Sequence, residues 1–385
     1  MNDKNHKIKL LFRHRSMEMG GVEKVILSLF NHLDKEKFDI TFCLNLYQGE
    51  LRNQVPKHIH YIKLAKGKED FSKNKFIQKA QLAIRKLKLN ILKQFPLIID
   101  TFYLKQKYDI QIASTYSMYD AVLKSTNKKS KKVGWLHSDL THPKLSHLCN
   151  NIIEELHQFD YVIYGAAHTK NVNENAFHYH LKNSSVIYNM IDIETVKSKA
   201  KEEKFATQIP TFSSVGRLHS RKGFHKLIIA HKRLLDRNLN HQIWIIGEGE
   251  ERENLQKQIT ELGVEKTFIL LGNQNNPYKY VASSDFFILP SESESYPLII
   301  GEVMVLGKPI IATNVGGINE MIDDNVNGIL IEYNEFDMEK AMEQFLTNKL
   351  LVQKLAQNNA TSDEKFDNQK IINQVETIFE EVLKN

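Results

Sequence analysis

Ser283 to Gly317 reads SSDFFILPSESESYPLIIGEVMVLGKPIIATNVGG, and this stretch decides the fold. It opens with a compact apolar run, Phe286-Phe287-Ile288-Leu289, closed by Pro290. A strand with one solvated face alternates apolar and polar residues, so a continuous run marks a strand buried on both faces. A loop carrying Glu292 and Glu294 follows. Leu298-Ile299-Ile300 then starts a helix that holds Glu302 and stops at Gly307-Lys308-Pro309. A second short strand, Ile310 to Thr313, runs into Gly316-Gly317. The unit is strand, loop, helix, strand, with carboxylates where the first strand ends. In open α/β sheets, ligands bind at the carboxyl ends of the strands.

Seven residues separate Glu294 from Glu302, which puts one carboxylate in the loop and one about a turn inside the helix. The helix start near Leu298 offers unpaired N–H groups and a positive dipole end to an anion. Carboxylates on either side of an anion site suit a ligand with hydroxyls flanking a phosphate, as in a nucleotide sugar. Alone, the two carboxylates read as a solvated loop and an ordinary helix.

The upstream residues add cations. The strand Phe212–Val215 ends in Gly216-Arg217, and Lys222-Gly223 follows in VGRLHSRKGF. Arg binds a diphosphate through its planar fork, Lys as a point charge. Strand Gln242–Ile246 and strand Phe268–Leu271 continue the alternation, with helices expected at Phe224–Arg237 and Glu250–Leu262. Gly247 and Gly249 lack the third glycine of a dinucleotide fingerprint and read as a tight turn.

The first half repeats the pattern. Ile8–Phe12 is a buried strand candidate leading through Gly20-Gly21 into a helix, Val22 to Leu33, with one apolar face. Strands are expected at Phe38–Leu44, Asp109–Ser114, Val133–Leu136 and Tyr161–Tyr164, so the class is α/β with parallel, doubly wound sheets. His137 follows the third of these, in WLHSD. VIYNMID, Val186 to Asp192, reads as a strand with an exit turn, and the Lys/Glu-rich stretch 194–206 as a linker. The domains expected are 1–192 and 193–368, with a helix at 369–385 packed back on the first.

These motifs resemble those of the family 4 retaining glycosyltransferases. Glu294 and Glu302, with SYP between them, look like that family's E-x7-E region; VGRLHSRKG is similar to its V-G-R-L-x-x-x-K-G. MGGVEK resembles a glycine loop that touches donor phosphates, and VIYNMID resembles V-I-x-N-P-I/V-D with Met190 for the proline. The family's E-G-F-G/P turn reads Glu294-Ser295-Tyr296-Pro297 here, without its first glycine and with a residue that has no N–H.

The resemblance implies a GT-B fold, two Rossmann-like domains facing across a cleft, with acceptor on the first and nucleotide sugar on the second. It implies retaining transfer of a hexosyl or N-acetylhexosaminyl group from a nucleoside diphosphate, expected to be UDP, to a hydroxyl of a glycan or lipid-linked acceptor in cell-surface polysaccharide synthesis. Arg217 and Lys222 would hold the leaving diphosphate, Glu294 the donor sugar, Glu302 the ribose, and His137 would lie near that sugar. Gly20, Gly21, Gly216, Asn273, Tyr296, Leu298 and Ile299 would line the donor site. No D-x-D occurs, Asp192-x-Glu194 being the nearest, and neither metal nor other cofactor is expected.

Composition bounds the alternatives. The chain has 385 residues, 42% hydrophobic and 25% charged, enough for two sizeable cores. Cys43 and Cys149 cannot make a disulfide framework, and a reducing compartment fits. The basic N-terminus has no apolar run suited to a signal peptide, so a cytoplasmic protein is expected. Net charge is +12 over residues 1–192 and −6 over the rest. No nucleic-acid-binding motif accompanies the basic half, and nucleic acid is not an expected partner. A non-catalytic nucleotide-sugar sensor would carry the same cations and carboxylates. Residues 71–99 hold no acid, while Lys73, Lys75, Lys79, Arg85, Lys86, Lys88 and Lys93 alternate with Phe76, Ala80, Ile84, Leu87, Ile91 and Phe95 at helical spacing. Such a helix suits an anionic membrane surface, on the inner face of the cell membrane here, or packs on a core with a solvated outer face.

Overall fold

A computed structural model describes residues 7–362 and 366–384; the start of the basic N-terminal stretch lies outside the described residues. The chain divides into two units, Met1–Asn189 with Asn368–Asn385, and Met190–Asp367.

The first unit is built on seven parallel strands: β1 (Ile8–His14), β2 (Phe38–Tyr47), β3 (His60–Lys66), β4 (Ile110–Ala113), β5 (Lys131–Leu136), β6 (Tyr161–Tyr164) and β7 (Ser184–Val186). Their order is β3-β2-β1-β4-β5-β6-β7. The chain moves outward from β1 to β3, then returns to the other side of β1 with β4. That reversal, between β1 and β4, is the topological switch point. β1 is central, and Leu10, Leu11 and Phe12 are fully buried as a run with no alternation requires. The last helix, Asn368–Lys384, completes this unit. Its Phe379 meets Phe12 and Phe38 edge-on, with ring centres 6.3 and 6.0 Å apart. Its Glu376 carboxylate accepts from the Asp34 backbone N–H at 2.9 Å and from Lys37 Nζ at 3.0 Å.

The second unit has six parallel strands, β8 (Thr211–Val215), β9 (Gln242–Ile246), β10 (Phe268–Gly272), β11 (Phe286–Leu289), β12 (Ile310–Thr313) and β13 (Ile329–Ile331). They are ordered β10-β9-β8-β11-β12-β13, so its switch point lies between β8 and β11. Phe212, Ile228, Leu234, Ile288 and Phe345 belong to the core beneath the Phe224–Asp236 helix. That core encloses two histidines. His241 Nδ1 donates to the Leu239 carbonyl at 2.7 Å, so its Nε2 is left to accept from His231 Nδ1 at 2.8 Å. His231 Nε2 in turn accepts from Thr267 Oγ1 at 2.8 Å. Each ring is neutral, with its tautomer set by its neighbours.

Three local expectations differ from the structure. VIYNMID pairs as a strand only to Val186, and the division between units falls after Asn189. The stretch expected as linker opens with a helix, Ile193–Ala200, because Asp192 caps it by accepting from Thr195 N–H at 3.0 Å and Val196 is buried. β3 has no counterpart in the sequence reading: HYIKLAK is an edge strand with polar exposed positions and no continuous apolar run.

The basic segment forms a helix, Lys75–Gln94, started by Asn74, whose Oδ1 accepts from Phe76 N–H at 3.0 Å. Leu92 is its only buried residue, while Phe76, Ile84 and Leu87 are more than half exposed. Among the described residues no helix is long and apolar enough to cross a membrane.

Candidate active site

β8 and β11, the strands that flank the second switch point, deliver the cations and the loop carboxylates. Arg217 leaves β8 with its side chain exposed, and the loop is tied down behind it by Leu218 N–H to Glu248 O at 2.9 Å. Lys222 ends a short 3-10 turn, Ser220–Lys222, and its stem lies across Gly216, where a Cβ would sit 3.4 Å from Lys222 Cε. Gly223 adopts φ +69°, and a side chain there would strike the Pro290 carbonyl oxygen. Only glycine lets this turn press against the end of β11. Glu292 N–H closes the junction by donating to Arg221 O at 2.7 Å.

The acidic loop is held from the other side by β12. Thr313 Oγ1 donates to Ser291 O at 2.5 Å, and Gly317 N–H to Ser295 O at 2.7 Å. Gly316, at φ +59°, passes so close to the Glu294 carbonyl that any Cβ would overlap it. Clamped in this way, the half-buried Glu294 carboxylate takes Ser291 Oγ at 2.6 Å and Lys222 Nζ at 2.5 Å, both on Oε1.

The helix that follows, Leu298–Val305, is buried almost all round. Pro297 precedes it and no side chain caps it, so its first N–H groups, on Leu298 and Ile299, are not claimed by a cap. Glu302 lies one turn in, 5% exposed, and its Oε1 accepts from Tyr278 Oη at 2.9 Å. Tyr278 was not singled out by sequence: nothing about a tyrosine opening the Tyr278–Ser283 helix says that its hydroxyl meets a carboxylate 24 residues on. Asn273 is exposed directly after β10, and Tyr296 is half-buried in the loop. The structure thus gathers Gly216, Lys222, Glu294, Tyr296, Leu298 and Ile299 around one strand-end region, with Arg217 beside it.

His137, Gly20 and Gly21 belong to the other unit. His137 follows β5, stacked on Trp135 with ring centres 5.7 Å apart. Desolvation first, then the charge of nearby His14, hold it below the usual histidine range, so the ring is neutral near pH 7. Gly20 caps the Gly21–His32 helix in an extended conformation, and the Glu23 side chain folds back over it. His14 joins this corner: Ser114 Oγ donates to Arg13 O and receives His14 Nδ1–H, both at 2.7 Å, while His14 Nε2 lies 3.4 Å from Glu23 Oε1. Glu23 was legible only as part of MGGVEK, and His14, beyond the expected strand Ile8–Phe12, was not singled out.

With these loops in place, the comparisons with known proteins are decisive. Residues 195–362 match the family profile of glycosyl transferases group 1. Over that span the chain is a group 1 glycosyltransferase. The matched span lies within the second unit, the one that carries Arg217, Lys222, Glu294 and Glu302. Among curated relatives, the chain is 27% identical over 368 residues to the N-acetylgalactosamine-N,N'-diacetylbacillosaminyl-diphospho-undecaprenol 4-alpha-N-acetylgalactosaminyltransferase of Campylobacter jejuni, spanning 92% of this chain and 95% of that one. It is 25% identical to the UDP-Gal:alpha-D-GlcNAc-diphosphoundecaprenol alpha-1,3-galactosyltransferase of Escherichia coli, over 88% of this chain and 87% of the other. The Anabaena HepE structure in complex with UDP and glucose superposes with a TM-score of 0.78 at 20% identity, covering 96% and 98% of the two chains. The fold of the chain is GT-B: α/β, with two parallel-sheet units.

Proposed function

We propose that this glycosyltransferase moves a hexosyl or N-acetylhexosaminyl group from a UDP-sugar to a hydroxyl of a lipid-linked diphosphate glycan, with retention at the anomeric carbon, in cell-surface polysaccharide synthesis. The observation that carries the reading is the meeting of Lys222 and Glu294 beside the uncapped start of the Leu298–Val305 helix. The chemical task is to stabilise an oxocarbenium-like centre and a departing diphosphate. Arg217, Lys222 and the Leu298 and Ile299 N–H groups supply positive charge to that diphosphate, the electrostatic assistance that matters most when charge develops. Glu294 holds the sugar hydroxyls, Glu302 the ribose, and the neutral His137 ring exchanges a hydrogen bond with a substrate hydroxyl. Tyr278, by bonding Glu302, positions it. In this reading no metal is required. The acceptor class is supported by the Campylobacter and Escherichia relatives, whose names both specify a diphospho-undecaprenol chain.

A lipid-linked acceptor places the enzyme at a membrane surface, and the Lys75–Gln94 helix is the proposed contact. It presents Phe76, Ile84 and Leu87 to solvent among six cations, and residues 71–99 hold no carboxylate. That charge is complementary to anionic lipid, and its apolar residues would enter the headgroup boundary from the inner face of the cell membrane. The test of the catalytic reading is product analysis with UDP-sugars and diphosphate-linked acceptors, with and without EDTA. Sugar transfer that survives chelation is expected. Loss with EDTA and return with magnesium or manganese would remove the metal-free account, and UDP-sugar binding without turnover on any such acceptor would make the protein a sensor.

A further inference from the structure

The first unit contains a buried cation that none of its described residues neutralises. Arg13 is the penultimate residue of β1 and only 2% exposed. It lies opposite Cys43 in the β1–β2 register, and Nη2 donates to Asn45 Oδ1 at 3.2 Å, two residues further along β2. The guanidinium is therefore carried toward the carboxyl end of the sheet. That hydrogen bond is the only one its side chain makes among the described residues, and no carboxylate there pairs with it. Nε is buried with no acceptor among the described residues. The carboxylates that follow β1 in sequence have other partners: Glu18 accepts from Ser16 and Gln48, and Glu23 faces His14 and Gly20.

A guanidinium has five donors in a fixed fork and stays charged inside a protein, so this burial is unfavourable until an anion arrives. The place is one where ligands bind. β1 and β4 flank the switch point of the first sheet, and Ser114 N–H, just past β4, donates to Arg13 O at 3.2 Å. The side-chain amide of Asn45 adds a neutral donor whose present partner is the weakly accepting Met118 sulfur, 3.6 Å away.

We propose that Arg13 and Asn45 form an anion subsite at the carboxyl ends of β1 and β2 that takes a phosphate of the acceptor's diphosphate. The proposal rests on the reading that the acceptor is diphosphate-linked, and names the residues that recognise it. Arg13 acts as a binding residue, remote from the bond that breaks.

The two readings separate in one experiment on the full chain. UDP is added to saturation, so that the second unit's cations are occupied, and inorganic pyrophosphate is then titrated while thermal unfolding is followed. A ligand that binds the native state raises the midpoint in proportion to its occupancy. Wild type should show a second, saturable rise. Arg13→Met should unfold no earlier than wild type without pyrophosphate, because it removes an uncompensated buried charge, and should lose the second rise. Arg13→Lys, which keeps the charge but loses the fork, should bind pyrophosphate about tenfold more weakly. Replacing Lys79, Lys86 and Lys93 with Gln should leave the second rise in place. A second rise that persists in Arg13→Met overturns the subsite, as does early unfolding of that variant together with unchanged pyrophosphate binding by Arg13→Lys. If UDP itself gives no protection, the donor reading fails instead.

Discussion

Lys222 Nζ and Glu294 Oε1 stand 2.5 Å apart, and they arrive there from neighbouring strands, β8 and β11. The pair joins the group proposed for the leaving diphosphate to the group proposed for the sugar. When a diphosphate enters, it competes with Glu294 for the ammonium.

Opposite effects on UDP follow from that competition. Lys222→Ala should weaken UDP by about 1.5–3 kcal/mol, the worth of a charge-assisted hydrogen bond. Glu294→Gln frees Lys222 from a rival anion, so UDP should bind as well or better while kcat falls strongly, because the sugar's contacts strengthen as its ring flattens. Calorimetry beside steady-state kinetics checks both. Equal weakening of UDP by the two variants would refute the assignment.

Glu302 behaves differently because the ribose is held alike in ground and transition states. Glu302→Gln should raise KM for the donor more than it lowers kcat. Tyr278→Phe takes away a hydrogen bond to the same buried carboxylate and should reproduce part of the loss, about 1–3 kcal/mol in UDP affinity or stability. A Tyr278→Phe protein with wild-type stability and KM would show that the hydroxyl does not position Glu302.

The buried histidine pair makes the second unit acid-sensitive. Burial, with the neighbouring His241, pushes His231 down to about 3, and burial lowers His241 as well. Their folded values lie below the ordinary 6.5, so between pH 6.5 and about 3 the unfolded chain binds more protons. Their contribution to stability is complete above pH 6.5 and shrinks as the pH falls. The unfolding midpoint should drop between pH 7 and pH 5, and His231→Leu with His241→Leu should drop less over the same interval. Parallel pH profiles for the two proteins would sink this account.

The membrane contact is checked by sedimentation with anionic vesicles. Lys79, Lys86 and Lys93 replaced together by Gln should reduce binding and leave UDP affinity untouched, and added salt should weaken wild-type binding. Binding indifferent to both would rule the helix out.

The second unit was the more legible half because its signals are local. Phe286–Leu289, Gln242–Ile246 and Ile310–Thr313 are apolar runs, the last two with one polar end residue each, and each is a strand with those limits. Glycines and cations at fixed spacing announced the loop after β8, and carboxylates at fixed spacing the loop after β11. What the sequence could not show was pairing at a distance. Nothing in it says that Lys222 meets Glu294, that Tyr278 meets Glu302, or that Gly316 must pass under the Glu294 carbonyl. β3 escaped because an edge strand carries polar residues. Arg13, inside RHR, reads as a solvated surface cation, and only the packing of its face, which Cys43 shares, reveals that it is buried.

The helix Asn368–Lys384 has a bearing on how the chain is made. Because Phe379 packs against Phe12 and Phe38, and Glu376 holds Asp34 and Lys37, the unit begun first is finished last. A ribosome delivers all of Met190–Asp367 before it delivers the piece that covers β1 and β2. Until then the hydrophobic surface that Phe379 covers, at Phe12 and Phe38, waits open.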